Sequence, residues 1–489
     1  MALPLLDPND ILGYDCRHAT YVPNNELHSD ILFVKEYVHT KDGKRYPNTR
    51  IIQDKPINFW VTKKGHQNHK DKKEWELESK LQKFTTTRVK LLDAIPKALE
   101  RPGLKGSLRM LAQSPYLYGC DIHPSALLKH EYQTKYPDCI HPTASVAVMD
   151  IETDVIWGTG EIILVTLSFK DKIFTAINQR FVEKIGLVEQ KVQDAFVKYL
   201  AEYKLKRNIT LTTEICNSPG ECAKRAIEKA HEWQPDFVTF WNINFDVPKM
   251  CSQMESEGID LARVWSDPTV PEPFKYFNYK EGPSQKITQG GKVIPLMPAE
   301  RWHIAICPAS FYLVDSMCLF KRLRIAKGNE SSYSLDHILN KYLGIRKLNF
   351  QEVDHIENKL EWHQVMQRQY KIEYIIYNIF DCISVEVLDE TVGDVGSSFT
   401  TLCEISDFSN FTSNPRRLVD DLHFTCREEG LVIATTSNDM REEVFDNLTV
   451  GLNNWIITLD SNNMNPLEGI TPFKELPDLR SQMFTHNWD

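Results

Sequence analysis

The chain has no run of about 18 consecutive apolar residues and no charged-then-apolar leader, so nothing in it reads as a helical membrane span or a secretory signal. Its 11 cysteines are scattered without Cys-x-x-Cys spacing, which argues against a zinc ribbon or a dithiol redox site. They read as reduced, partly buried thiols of a cytoplasmic protein. Cys120, His123, Cys139 and His141 have the donor types of a zinc site. However, residues 125–136 between them carry an amphipathic helical pattern, and Cys-x-His is poor chelating spacing, so structural roles are favoured. Overall basicity is also lacking, with a formal charge of −10. The balance is uneven: residues 1–140 hold 22 Lys and Arg against 17 Asp and Glu, and the remainder holds 35 against 50. A basic amino-terminal part suits phosphate contacts, and an acidic remainder leaves room for metal ligands. Lys63, Lys64, Lys70, Lys72 and Lys73, with Trp60 and Trp75 nearby, are either a nucleic-acid surface or a solvated loop and helix start.

What is present is a 489-residue chain, 42% apolar, long enough for several cores and about three domains. Residues 1–140 show strand-like runs at 31–34 and 57–62 and helical periodicity near 88–100, which predicts a small α+β unit. From 146 to 395 the predicted order is strand, strand, strand, helix, helix, strand. It includes a hairpin of 161–169 with 172–178 through Lys170 and Asp171, and helices over 187–204 and 220–233. The stretch 266–298 is rich in Pro, Gly and polar residues, with Gly290 and Gly291 between two β-prone runs. It reads as an insertion carrying a hairpin or as an irregular surface loop.

Three places carry chemistry. In Val146 to Thr153, strand alternation puts Asp150 and Glu152 on one face. Two anions side by side on a half-buried strand repel and lose hydration, so a cation normally compensates them; the alternative is a solvated strand end. Phe237 to Asp246 reads as an apolar strand broken at an Asn-rich turn. Pro248 biases the residue before it away from helix, which places Asp246 in the connection after the strand. Such connections collect functional residues in α/β folds, although a plain turn residue is the other reading. The stripe Ile372, Ile375, Ile376, Ile379, Ile383 and Val387 predicts a buried helix with Tyr377 and Asp381 one turn apart on its flank.

Together these residues resemble the three exonuclease motifs of family B DNA polymerases. The first is Asp-x-Glu at Asp150 and Glu152, the second Asn-x-x-Phe-Asp at Asn242, Phe245 and Asp246, and the third Tyr-x-x-x-Asp at Tyr377 and Asp381. Phe-Asp-Val-Pro at 245–248 and the Tyr-Asn-x-x-Asp pattern of the third motif look particularly like tailed-phage enzymes, and 313–317 and 333–336 look like further signposts. The likeness covers roughly residues 105–395. It implies a fold that is α/β, α+β overall. An amino-terminal domain over 1–140 would precede a ribonuclease-H-like 3′–5′ exonuclease domain over 141–395, with the start of a palm over 396–489. It also implies two Mg²⁺ or Mn²⁺ ions about 3.5–4 Å apart on hard oxygen ligands. Asp150 would bridge them, Glu152 and Asp381 would complete the first, and Asp246 would hold the second mainly through water. Tyr377 would orient the nucleophilic water, and Asn242 and Phe245 would contact DNA. The implied reaction is proofreading, the release of a nucleoside 5′-monophosphate from a 3′ end. In related phage polymerases a hairpin at the place of the 266–298 insertion helps part the primer terminus from its template.

The carboxyl-terminal part departs from that family. Neither an Asp-x-x-Ser-Leu-Tyr-Pro nor an Asp-Thr-Asp palm element is present; Asp460 and Pro466 have the first element's spacing, but Asn463, Met464 and Asn465 occupy the Ser-Leu-Tyr positions. The expectation is a polymerase split between two polypeptides, with palm, fingers and thumb on a partner chain. It would work on primer–template DNA and a single-stranded 3′ end, off the membrane, in the cytoplasm of a phage-infected bacterium. The alternatives are a free-standing metal-dependent 3′–5′ nuclease and a noncatalytic DNA-binding subunit.

Overall fold

The computed structural model, α+β overall, describes residues 6–288, 291–399 and 414–435. Contacts divide the chain into two units, each discontinuous: Met1–Lys55 with His123–Asp420, and Pro56–Ile122 with Asp421–Asp489. The partition expected at residues 140 and 395 is not the one along which contacts fall. The physical reason is that the first 55 residues pack with the elements that follow residue 123, whereas the segment from Pro56 builds a core of its own.

In the first unit, Ile11–Asn24 (β1), Ser29–Thr40 (β2) and Arg45–Gln53 (β3) form an antiparallel sheet. Pro124–Lys135 (α1) begins on His123, whose Nδ1 accepts from the Ser125 amide, and packs Leu128 and Tyr132 against Cys16, Leu32 and Val34. A second sheet has six strands: Val146–Thr153 (β4), Ile162–Phe169 (β5), Lys172–Asn178 (β6), Thr210–Cys216 (β7), Phe237–Phe240 (β8) and Tyr312–Asp315 (β9). Their order is β7-β6-β5-β4-β8-β9. β4, β5 and β6 are an antiparallel meander, and β7, β8 and β9 join their neighbours in parallel. Between the parallel partners run Val188–Arg207 (α2), Pro219–Trp233 (α3) and Ile243–Ser256 (α4). Lys359–Gln369 (α5) and Lys371–Val392 (α6) complete the elements that matter for the site.

Alternation on β4 decides what each face meets. Ala147, Met149 and Ile151 enter one core with residues of α3 and α4, while Val148, on the opposite face, packs with Cys382, Val385 and Leu388 of α6. Asp150 and Glu152 share the Val148 face and so point toward α6. Glu386 fixes that helix lengthwise. Its carboxylate accepts from Ser168 Oγ and from the Lys170 amide, both at 2.6 Å, and pairs with Arg207 at 3.0 Å. Lys170, with φ +58°, makes the turn of the expected hairpin. The insertion does carry a hairpin, with Gln285–Ile287 antiparallel to Val293–Pro295 and Gly291 at φ +77° in its turn; Gly290 lies outside the described residues.

The second unit pairs Ile57–Thr62 with Leu81–Thr86 on one side and Leu117–Tyr118 on the other, around a core of Trp60, Leu81, Tyr118, Val432 and Ala434. Trp60 is buried at 4% exposure, so it is not available to a nucleic-acid surface; Trp75 is half exposed. Leu431–Ile433 lies in the segment expected to begin a palm, yet it pairs antiparallel with Trp75–Leu77. Asp460 and the rest of that segment from 436 lie outside the described residues.

A buried ionic knot joins β1 to the entry of β4. The Arg17 guanidinium donates to Asp15 at 2.9 Å and to the carbonyls of His141 and Thr143 at 2.8 and 2.6 Å, and lies 3.7 Å from Asp236. Asp236 in turn accepts from the Ser145 amide at 2.8 Å. Removing the cation leaves two buried carboxylates uncompensated. Arg17→Met is expected to destabilise the protein by about 3–5 kcal/mol, read as a lower urea midpoint.

Candidate metal centre

β4 and α6 build the site between them. The half-buried Asp150 and Glu152 extend from β4, and the buried Asp381 meets them from α6, with one carboxylate oxygen of each within 4.8 Å of the others. It is the one group of three or more His, Cys, Asp or Glu among the described residues that could hold a metal ion; Cys120, His123, Cys139 and His141 form none. Each carboxylate has a fixed partner. Asn378 donates to Asp150 Oδ2 at 2.7 Å, Tyr374 to Glu152 Oε2 at 2.5 Å and Lys347 to Asp381 Oδ2 at 2.5 Å. Lys347 Nζ also donates to the Tyr377 hydroxyl at 2.9 Å. Asp381 Oδ1 is buried with no hydrogen-bond partner among the described residues, which leaves its lone pairs for a ligand.

Asp246 is buried as well but stands outside the group of three oxygens. It lies in the first turn of α4, not in a connection: the helix begins at Ile243 and contains Pro248. The local proline bias is overridden because Asp315, at the end of β9, caps the helix from outside by accepting from the Ile243 amide at 3.1 Å. The same carboxylate accepts from the Cys318 amide at 2.7 Å, so one buried side chain starts two helices. Asn242 immediately precedes α4 and is half-buried, and Phe245 is 51% exposed.

Burial and mutual repulsion push these acids toward their neutral forms. Burial, then Asp246, Asp381 and Glu152, hold the Asp150 carboxyl well above the usual range, against Lys347. Burial raises Glu152 to about 7, against the Tyr374 hydrogen bond. Burial and then Asp315 raise Asp246 well above its ordinary value, against the hydrogen bond from the Ile151 backbone, and burial raises Asp381 despite Lys347. Burial works against the charge of Lys347, but Asp381 and Tyr377 outweigh it and hold the ammonium charged. One lysine therefore faces four acids. The remaining anionic charge and the all-oxygen donor set fit a hard divalent cation such as Mg²⁺ or Mn²⁺, held by Asp150, Glu152 and Asp381 with Asp246 alongside.

Lys347 is a residue of the site that the motif reading missed, and Asn378, which stands in the Tyr-Asn-x-x-Asp pattern, is given no role there. Asn378 carries a signal, because it is a polar residue next to Tyr377 in an apolar helix; the structure buries it fully. Lys347 carries none, since it follows a helix stop at Gly344 and lies 34 residues from its partner.

An acid that binds its proton more tightly folded than unfolded stabilises the fold at low pH and loses that contribution as pH rises. For Glu152 the window runs from 4.5 to about 7. Metal-free protein is therefore expected to lose thermal stability as pH rises through that window, with Mg²⁺ raising the unfolding midpoint more at about pH 8 than at about pH 5. Glu152→Gln should weaken that pH dependence. No protein-family model matches the chain and no curated protein matches it, so the chemistry rests on the geometry of these side chains.

Proposed function

We propose that the chain is a metal-dependent 3′–5′ exodeoxyribonuclease of ribonuclease-H-like fold, the proofreading part of a family B DNA polymerase of tailed-phage type whose palm lies on a second polypeptide. The observation that carries the reading is the convergence of Asp150, Glu152 and Asp381 oxygens within 4.8 Å, from positions distant in the chain that resemble the exonuclease motifs. The sheet supports it too: an antiparallel meander whose first strand, β4, is flanked on its other side by the parallel strands β8 and β9. When bound, a pair of divalent ions would lower the pKa of a water and stabilise the leaving 3′ oxygen.

The chain's own residues divide the remaining work. Asp150, Glu152 and Asp381 supply the oxygens, and Asp246 stands beside them to hold a second, partly hydrated ion. The Tyr377 hydroxyl, fixed by Lys347, orients the water whose oxygen attacks phosphorus while the P–O3′ bond breaks. Lys347 keeps its positive charge beside the site, where it also favours the phosphate. The exposed ring of Phe245, one residue before Asp246, offers a face on which a terminal base can stack, with Asn242 at the start of the same helix.

Asp150→Ala and Asp246→Ala are expected to remove Mg²⁺-dependent digestion of 5′-labelled single-stranded DNA, a loss on the order of a thousand-fold if several kcal/mol of transition-state stabilisation disappears. Tyr377→Phe is expected to be milder, because the carboxylates remain. Undiminished digestion by either alanine variant would refute the assignment. For the split polymerase, the isolated chain should incorporate no dNTPs and should support templated synthesis only with a partner bearing palm, fingers and thumb; incorporation by this chain alone would rule out the division.

A further inference from the structure

Tyr374 lies one helical turn before Tyr377 on α6, and its ring is fully buried and stacked nearly parallel to that of Tyr377, at 5.9 Å and 9°. Its hydroxyl has three polar neighbours: Glu152 Oε2 at 2.5 Å, His363 Nδ1 at 2.8 Å and Gln367 Nε2 at 3.2 Å. A phenol has one proton and two lone pairs. The Gln367 amide nitrogen can only donate, so it takes one lone pair. Glu152 and His363 would both accept the proton if Nδ1 were bare. The shorter contact and the stronger acceptor are on the carboxylate side, which assigns the proton to Glu152 and the Nδ1–H tautomer to His363. Every valence of the hydroxyl is then satisfied, and the phenol is locked in one orientation with its hydrogen aimed at Glu152.

Gln367, also buried, does more than fill one lone pair. Its Nε2 donates to the Thr153 carbonyl at 2.9 Å and its Oε1 accepts from the Val155 amide at 3.0 Å. It thereby grips the backbone on the carboxyl side of Glu152, where β4 ends in a register irregularity between Glu152 and Thr153. A strand end with broken register has a weak hold on its side chains. Here α5 and α6 provide the hold, α5 through the backbone by Gln367 and α6 through the carboxylate by Tyr374.

We propose that Tyr374, oriented by His363 and Gln367, is a positioning residue that holds the Glu152 carboxylate ready as a metal ligand, so that its loss weakens metal binding rather than the chemical step. The inference rests on the reading of this site as a metal-dependent nuclease, but one of its tests does not. Hydrogen-bond partners that orient a ligating carboxylate set metal affinity, and their removal weakens it about ten-fold or more. Tyr377 acts on the other side of the site, on Asp381 and Lys347, so the two tyrosines should separate kinetically.

The experiment is a titration of Mn²⁺ into wild type and Tyr374→Phe, with free Mn²⁺ read by electron paramagnetic resonance, beside Mg²⁺ dependence of single-stranded DNA digestion. About a ten-fold weaker Mn²⁺ dissociation constant is expected, with an equal rise in half-saturating Mg²⁺ and recovery of turnover at high Mg²⁺. Tyr377→Phe should instead lower turnover with half-saturating Mg²⁺ unchanged. If Tyr374→Phe does not fold, Gln367→Met reads the same hold through its removal from the hydroxyl and the strand end. Unaltered metal affinity in the folded variant overturns the inference, as does a wild type that binds no Mn²⁺. Wild-type protein that binds Mn²⁺ through this device but digests no DNA overturns the nuclease reading alone.

Discussion

The carboxylates gathered between β4 and α6 impose the constraint that the surrounding structure answers. Asp150, Glu152 and Asp381 cannot all be anionic at such separations, inside protein and beside Asp246, without cationic compensation. Lys347 supplies one positive charge and spends its hydrogen bonds on Asp381 and Tyr377. Asn378 and Tyr374 supply neutral donors to the other two acids. Donors of this kind orient a carboxylate without cancelling its charge. The site is therefore pre-shaped and electrostatically incomplete, the condition in which a cation binds without rearranging its ligands.

Much of this was legible in the sequence because it is encoded locally. Period-two alternation in 146–153 fixed Asp150 and Glu152 to one face, and the apolar stripe of 372–387 announced the helix that carries Tyr377 and Asp381. The hairpins at 170 and 291 followed from turn residues between β-prone runs. What escaped depends on partners remote in the chain. The start of α4 is set by Asp315, 72 residues beyond the amide it caps, and a proline rule applied to 242–248 has no access to it. Lys347 looks like any other lysine after a helix stop until α6 is packed against it. The pairing of 431–433 with 75–77 is likewise invisible to local pattern, and it redraws the unit that residues 56–122 belong to.

The two halves of the site differ in how they are held. The β4 side lies at an irregular strand end and depends on side chains from α5 and α6 for its definition. The α6 side is in a regular helix whose apolar stripe is buried at Ile375, Ile376, Ile379 and Ile383 and half-buried at its ends, Ile372 and Val387. The helix side is thus fixed by its own packing, and the strand side by the side chains that grip it.

The Glu386 clamp has one more effect. A helix packed on an apolar stripe resists rotation but has little to stop it sliding along its groove. A slide of about 1.5 Å, one residue's rise, would carry Asp381 that far along the axis and away from the oxygens it meets on β4. Because Glu386 grips a turn amide and a strand hydroxyl at the far end of the β5–β6 hairpin, the hairpin works as an end stop that keeps the helix in register with the sheet.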